Sequence, residues 1–131
     1  MSIDKDSEEW LVMRYFREKY TDFPRGKLVK SESPDFILKL SRKRSIGIEL
    51  TRLDYMIKDN PNLWPEYLLS LIEKKEEKLC LYKKKQFAKY WLLMAVEDVH
   101  LKDIHKYIRD YNFLFDDVFL FDLFSGEITE L

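Results

Sequence analysis

The chain has 131 residues, 46% of them hydrophobic and 15% aromatic, which is enough for one domain with one core. Its 23 basic residues against 24 acidic ones leave a net charge of −1, so nucleic-acid binding would have to come from a local basic patch. The lone Cys80 excludes an intrachain disulfide and a cysteine-based zinc cluster, and it suits a reducing compartment. The opening MSIDKDSEEW is acidic and lacks the apolar stretch of a secretory leader, and no apolar run approaches the ~18 residues of a membrane helix. The expectation is a soluble, cytoplasmic protein with no membrane partner.

In chain order, Ser7 followed by Glu8 and Glu9 reads as a helix start, with a capping hydroxyl and acids in the first turn. That helix runs to about Tyr20, where Thr21 to Gly26 is a breaker cluster. Three strands follow, Lys27 to Ser31, Asp35 to Leu40 and Ser45 to Thr51, with Ser41 to Arg44 as a hairpin link between the last two. Asp59 to Asn62 is a loop, and Pro65 begins a helix that reaches about Lys89. Tyr90 to Val96 is a continuous apolar run, expected to be a strand buried on both faces. Lys102 to Tyr111 reads as a short helix and Val118 to Phe124 as a last strand, apolar enough to be a sheet edge or a homodimer interface. The order is αβββ, long α, β, short α, β. It implies an α/β three-layer sandwich, a mixed central sheet with helices on its faces, in a single domain over residues 1–131.

Four ionisable residues stand where apolar ones belong. At about 100° per residue, Val12, Met13, Phe16 and Tyr20 form one stripe of the first helix, with Glu9 at its head. On the long helix, Leu68, Leu71, Ile72, Leu79 and Tyr82 form the apolar face, with Lys75 near its middle and Lys78 on its flank. Asp35 opens the second strand directly after Pro34, and Glu49 sits between Ile48 and Leu50 in the third. Ionised carboxylates on neighbouring buried strands need a partner, and a hard divalent cation held by oxygens is the natural one. Asp35 and Glu49 are therefore the expected metal ligands, with Glu9 as a third. Such a site suits phosphodiester hydrolysis, with a lysine to orient or deprotonate the water and stabilise the developing charge. Thr51 shares the sheet face of Glu49, because side chains repeat every two residues along a strand.

Pro34-Asp35, thirteen intervening residues, and Glu49-Leu50-Thr51 resemble the motif of the PD-(D/E)xK nuclease superfamily, the restriction-endonuclease-like enzymes. The family's αβββαβ core matches the element order through residue 96, and the last helix and strand would be an extension. The resemblance implies that Asp35 and Glu49 ligate Mg²⁺, with Mn²⁺ able to substitute, and that Glu9 matches the first-helix acid of many members. The motif lysine, two residues after the acid, is replaced here by Thr51. Some members carry that lysine on the following helix, a place that Lys75 fits first and Lys78 second. The expected activity is metal-dependent cleavage of nucleic acid, DNA before RNA, with Asp35, Glu49, Lys75, Lys78 and Thr51 as the catalytic set. Arg42, Lys43 and Arg44 in the hairpin link and Arg52 after Thr51 are the expected phosphate contacts.

Each residue also has an ordinary reading. Pro-Asp is a common turn dipeptide. Glu49 would face solvent if the sheet were covered on one side only. Lys75 would snorkel, and Glu9 would be an N-terminal helix charge. Lys83, Lys84 and Lys85 would be a solvated face balanced by Glu73, Glu76 and Glu77, while Asp116, Asp117 and Asp122 would cap or solvate the last strand. His100 and His105, five apart with no third ligand nearby, make a poor zinc site. The Thr51 departure keeps open a catalytically inactive domain of the same fold that binds nucleic acid or a protein partner. An interaction protein with merely surface charges is the remaining alternative.

Overall fold

A computed structural model describes residues 4–53, 64–97 and 101–131. The first helix, α1 (Lys5–Lys19), is capped by Asp4 and not by Ser7. Asp4 Oδ1 accepts the Ser7 backbone N–H at 2.9 Å and Oδ2 accepts the Ser7 hydroxyl at 3.1 Å. Ser7 is therefore inside the first turn, where its N–H is one of the orphan donors a cap must satisfy. Val12, Met13 and Phe16 are buried as the stripe predicts, and Tyr20 ends the helix with its ring stacked on Phe16.

Three strands then meander antiparallel: β1 (Lys27–Lys30), β2 (Phe36–Lys39) and β3 (Ser45–Arg52). After β3 come α2 (Trp64–Tyr82), β4 (Lys89–Val96), α3 (Leu101–Ile108), β5 (Asp117–Asp122) and β6 (Ile128–Glu130). The six strands lie in sequence order across one mixed sheet. β3, β4 and β5 run parallel, and the helices α2 and α3 lie in the crossovers that parallel neighbours require. The architecture is thus α/β with a mixed sheet. The loop expected at Asp59 to Asn62 and the histidine at position 100 lie outside the described residues.

The sheet is covered on both faces. Ile46, Ile48 and Leu50 of β3 join Trp91, Leu93, Phe119 and Phe121 against Val12, Met13 and Phe16 of α1. The alternate residues of β4 and β5, Tyr90, Leu92, Met94, Val118 and Leu120, pack with Leu68, Ile72, Leu79 and Tyr82 of α2 and with Ile104 and Ile108 of α3. Every residue from Tyr90 to Val96 is buried, as the unbroken apolar run predicts.

Two boundaries differ from expectation for local reasons. α2 stops at Tyr82 instead of reaching Lys89; Lys83–Lys85 tighten into a 3₁₀ turn, and Gln86 adopts φ 57°. That left-handed residue ends the helix and turns Phe87 back over Gly47, where an added Cβ would meet the Phe87 ring at 3.0 Å and the Pro34 ring at 3.1 Å. The apolar run at Val118 to Phe124 is not a sheet edge. It ends at Asp122, and β6 pairs antiparallel with β5 after a turn through Gly126 at φ 80°.

Candidate functional site

The register Phe36↔Ile48 between β2 and β3 fixes the relation of the two acids. One step beyond that pair, Asp35 stands opposite Glu49. Asp35 is 7% exposed, and its Oδ2 accepts the Leu50 backbone N–H at 2.8 Å. Glu49 alternates with Ile48 and Leu50, so it points away from α1 and into the layer beneath α2. There it is fully buried, at 0% exposure. The solvent-facing alternative for Glu49 is thereby overturned, because the second face of the sheet is covered.

α2 supplies the counter-charges. Lys75 Nζ lies 3.2 Å and Lys78 Nζ 3.0 Å from the same oxygen, Glu49 Oε1. The two lysines are one helical turn apart, so both reach the same patch of sheet. Lys75 does not snorkel outward; its ammonium turns in to the carboxylate. Glu49 Oε2 is buried with no hydrogen-bond partner among the described residues.

Glu9, 9% exposed at the head of the α1 stripe, completes the acidic group. Lys30 of β1 ties it in: its Nζ lies 3.7 Å from Glu9 Oε1 and donates to the carbonyls of Ser31 at 2.8 Å and Asp35 at 3.1 Å. Lys30 also stands 5.0 Å from the centre of the Phe36 ring. It pins the loop carrying Asp35 against the helix carrying Glu9. Sequence reasoning missed it, since a lysine ending a four-residue strand carries no pattern that separates it from Lys27.

The electrostatics show how crowded the negative charge is. Burial, then the charge of Asp35, raises the Glu49 carboxyl above its ordinary range, and Lys75 offsets only part of this. Burial and then Asp35 raise the Glu9 carboxyl as well, with Lys30 opposing. Burial pulls Lys78 down, but the hydrogen bond and charge of Glu49, with Asp35 and Glu9, outweigh it and hold the ammonium above its ordinary range. A cation among these groups would lower the cost of ionising all the acids.

A cavity of about 290 Å³ opens beside the acids at the carboxyl end of β3, walled by Glu9, Asp35, Thr51, Arg52, Lys75 and Lys78. Open α/β sheets bind ligands at that end of their parallel strands. An adjoining cavity of about 470 Å³ shares Glu9, Asp35 and Lys78 and adds Lys30. Glu49 lies behind the two lysines. Thr51 is half-buried on the cavity wall, and Arg52 pairs with Glu8 and Glu97 at the rim. Arg42, Lys43 and Arg44 are exposed in the turn at the opposite end of β3, and Arg44 lines a separate cavity with Tyr20 and Trp91. Of the four predicted phosphate contacts, the fold brings only Arg52 to the acids.

The donor set suits Mg²⁺ in kind. Among the described residues no three carboxylate, imidazole or thiol groups converge to enclose an ion unaided. Mg²⁺ does not require such a cage, since it keeps several waters and takes one or two carboxylates together with substrate phosphate. Asp35, just before β2, and Glu49 on β3 offer hard carboxylate oxygens on facing segments, and Glu49 Oε2 is an acceptor with no hydrogen-bond partner among the described residues.

Two other acids prove to be structural. Glu76, read as part of a solvated face, is buried, with Oε1 accepting the Tyr111 hydroxyl at 2.7 Å and Oε2 accepting the Leu114 N–H at 2.6 Å. Asp122 caps its turn as expected, accepting from the Phe124 N–H and the Ser125 hydroxyl, each at 2.9 Å. No helix among the described residues is long and apolar enough to cross a membrane. No protein-family model, curated protein or solved structure matches this chain.

Proposed function

We propose that the chain is a Mg²⁺-dependent nuclease with a restriction-endonuclease-like core, cleaving phosphodiester bonds in DNA. The observation that carries this reading is Glu49: a fully buried strand carboxylate opposite Asp35, held from behind by two helix lysines that themselves line a cavity with Asp35. The αβββαβ order through Val96 is the order the motif resemblance implies.

Asp35 and Glu49 would hold the ion, with Glu9 beside them, and Mn²⁺ would serve in place of Mg²⁺. A bound ion would polarise the phosphate and make water a better nucleophile. Lys75 and Lys78 exchange Glu49 for the scissile phosphate when substrate enters, and their ammoniums stabilise charge developing on its oxygens. As ammoniums they would orient the attacking water by hydrogen bonding, its proton passing to solvent, since Glu49 holds Lys78 protonated. The Thr51 hydroxyl donates to the phosphate from the same wall. Arg52 and Lys5, which also lines this cavity, neutralise flanking phosphates without reading bases.

The test is cleavage of supercoiled, linear duplex and single-stranded DNA, and of RNA, with Mg²⁺ or with a chelator. Metal-dependent cleavage of DNA, lost in Asp35→Ala, is the expected result. The Thr51 replacement favours one second reading, an inactive domain of this fold that binds nucleic acid or a protein. Binding of DNA without cleavage, unchanged in Asp35→Ala, would select it.

A further inference from the structure

Lys30 is an ammonium set among oxygens. Its Nζ donates to the Ser31 carbonyl at 2.8 Å and to the Asp35 carbonyl at 3.1 Å, and it lies 3.7 Å from Glu9 Oε1. The Ser31 N–H also donates to the Asp35 carbonyl, at 2.8 Å, so the loop from Ser31 to Asp35 closes on itself beside the lysine. A cation–π contact adds to the hold, with Nζ 5.0 Å from the centre of the Phe36 ring. The side chain is 21% exposed, so most of it is shielded from water.

Two carbonyls and a carboxylate are hard oxygens of the kind a divalent ion takes. The cavity of about 470 Å³ that Lys30 lines also has Asp6 and Glu32 on its wall, and it shares Glu9 and Asp35 with the cavity beside Thr51. Acids running on from one cavity to the next suit a pair of ions, which in two-metal sites stand about 3.5–4 Å apart. Here an ammonium already sits among the outer oxygens. A divalent ion drawing on them would have to displace a tethered lysine, and an ion placed alongside would meet its charge at short range.

We propose that Lys30 is the built-in second cation of the acidic group, so that the site takes a single divalent ion, on the Asp35 and Glu49 carboxylates. Glu9 is then held by Lys30 and not by the ion. The proposal rests on the cation site of the nuclease reading. Within that reading Lys30 is a positioning residue, since it touches neither substrate nor the attacking water. With one ion in place, charge on the leaving oxygen falls to Lys75 and Lys78 and not to a second metal.

Counting the Mn²⁺ ions bound per full chain, from the EPR signal of free Mn²⁺ during titration, tests this without any cleavage. The wild type is expected to bind one ion and Lys30→Ala two. Glu9→Gln in the Lys30→Ala background should return the count to one. Glu9→Gln alone should keep the ion that Asp35→Ala loses, and this arm decides if Lys30→Ala does not fold. Two ions in the wild type, one in folded Lys30→Ala, a second ion indifferent to Glu9, or loss of the ion in Glu9→Gln would each overturn the proposal. No ion bound by the wild type would overturn the cation site and the proposal with it. The expected counts without cleavage of any nucleic acid would establish the role of Lys30 and overturn the nuclease reading alone.

Discussion

Glu49 and Glu76 are both buried glutamates, the first facing α2 from β3 and the second carried by α2 itself, yet their surroundings differ in kind. Glu76 has one short bond on each oxygen, from the Tyr111 hydroxyl and the Leu114 N–H. Those donors are neutral, and one of them is backbone. Burial, then the hydrogen bond to Glu76, pushes the Tyr111 phenol up to about 12. The arrangement is a latch between α2 and the segment after α3, and nothing in it invites exchange. Glu49 instead has two ammoniums on one oxygen and no hydrogen-bond partner on the other among the described residues. A carboxylate with both oxygens satisfied by neutral donors ties elements together, whereas Glu49 is paired beside a second acid with two lysines that solvent can partly reach. That contrast is what the proposed function rests on among the buried acids of the described residues.

The largest expected difference between the two is in cleavage. Under the proposed nuclease reading, Asp35→Ala or Glu49→Gln should reduce DNA cleavage by about a thousandfold or more, because each would remove a ligand to the ion that supplies much of the rate. Glu76→Gln should leave cleavage per folded molecule unchanged. An equal loss of activity in all three would erase the distinction.

Stability should show the opposite ranking. Glu76→Ala strands the Leu114 N–H and the Tyr111 hydroxyl and should cost about 2 kcal/mol in urea unfolding. Glu49→Gln should raise the melting temperature of the metal-free protein by a few degrees at neutral pH, since it removes a charge that burial and Asp35 disfavour.

The pH dependence follows from the same cause. Glu9 and Glu49 titrate above the 4.5 of a free glutamate, so the folded chain holds their protons more tightly than the unfolded chain does. Their contribution to stability is fully present below about pH 4.5 and is lost as pH rises through the raised values. Asp4, lowered mainly by its bond from the Ser7 N–H, acts in the opposite sense as pH falls below its ordinary 3.8. Metal-free melting temperatures measured across this range should therefore fall with rising pH, and Glu49→Gln should flatten the decline. A Glu49→Gln profile parallel to the wild type would contradict the assignment.

A smaller loss of cleavage distinguishes the lysines. Lys75→Met and Lys78→Met should each slow cleavage by about ten- to a hundredfold, while Lys74→Met, on the exposed face, should not. Loss in only one of the first pair would show which amine acts.

Much of this contrast was legible in the letters. A lysine in the middle of an apolar helix face breaks that face's periodicity, whereas Glu49 between Ile48 and Leu50 fits a strand with one wet face, and only the cover over the second face of the sheet decides its burial. The burial of Glu76 was not legible, because its partners are 35 and 38 residues away and one is a backbone N–H. Arg42, Lys43 and Arg44 looked close to Glu49 in sequence, but five residues of extended strand carry Glu49 roughly 17 Å from Arg44, toward the other end of β3. The end of α2 depended on the left-handed Gln86, a residue type with no strong preference for that conformation. β6, three residues long, is too short for any alternation to register.

The central claim is that Asp35 and Glu49 form a cation site, and thermal melting tests it most directly. Wild type and the Asp35→Ala/Glu49→Ala double variant would be melted with and without millimolar Mn²⁺. The account predicts a Mn²⁺-dependent rise in the wild type that vanishes in the variant, since an ion stabilises only the state that binds it. Equal melting temperatures of the wild type with and without Mn²⁺ would contradict it.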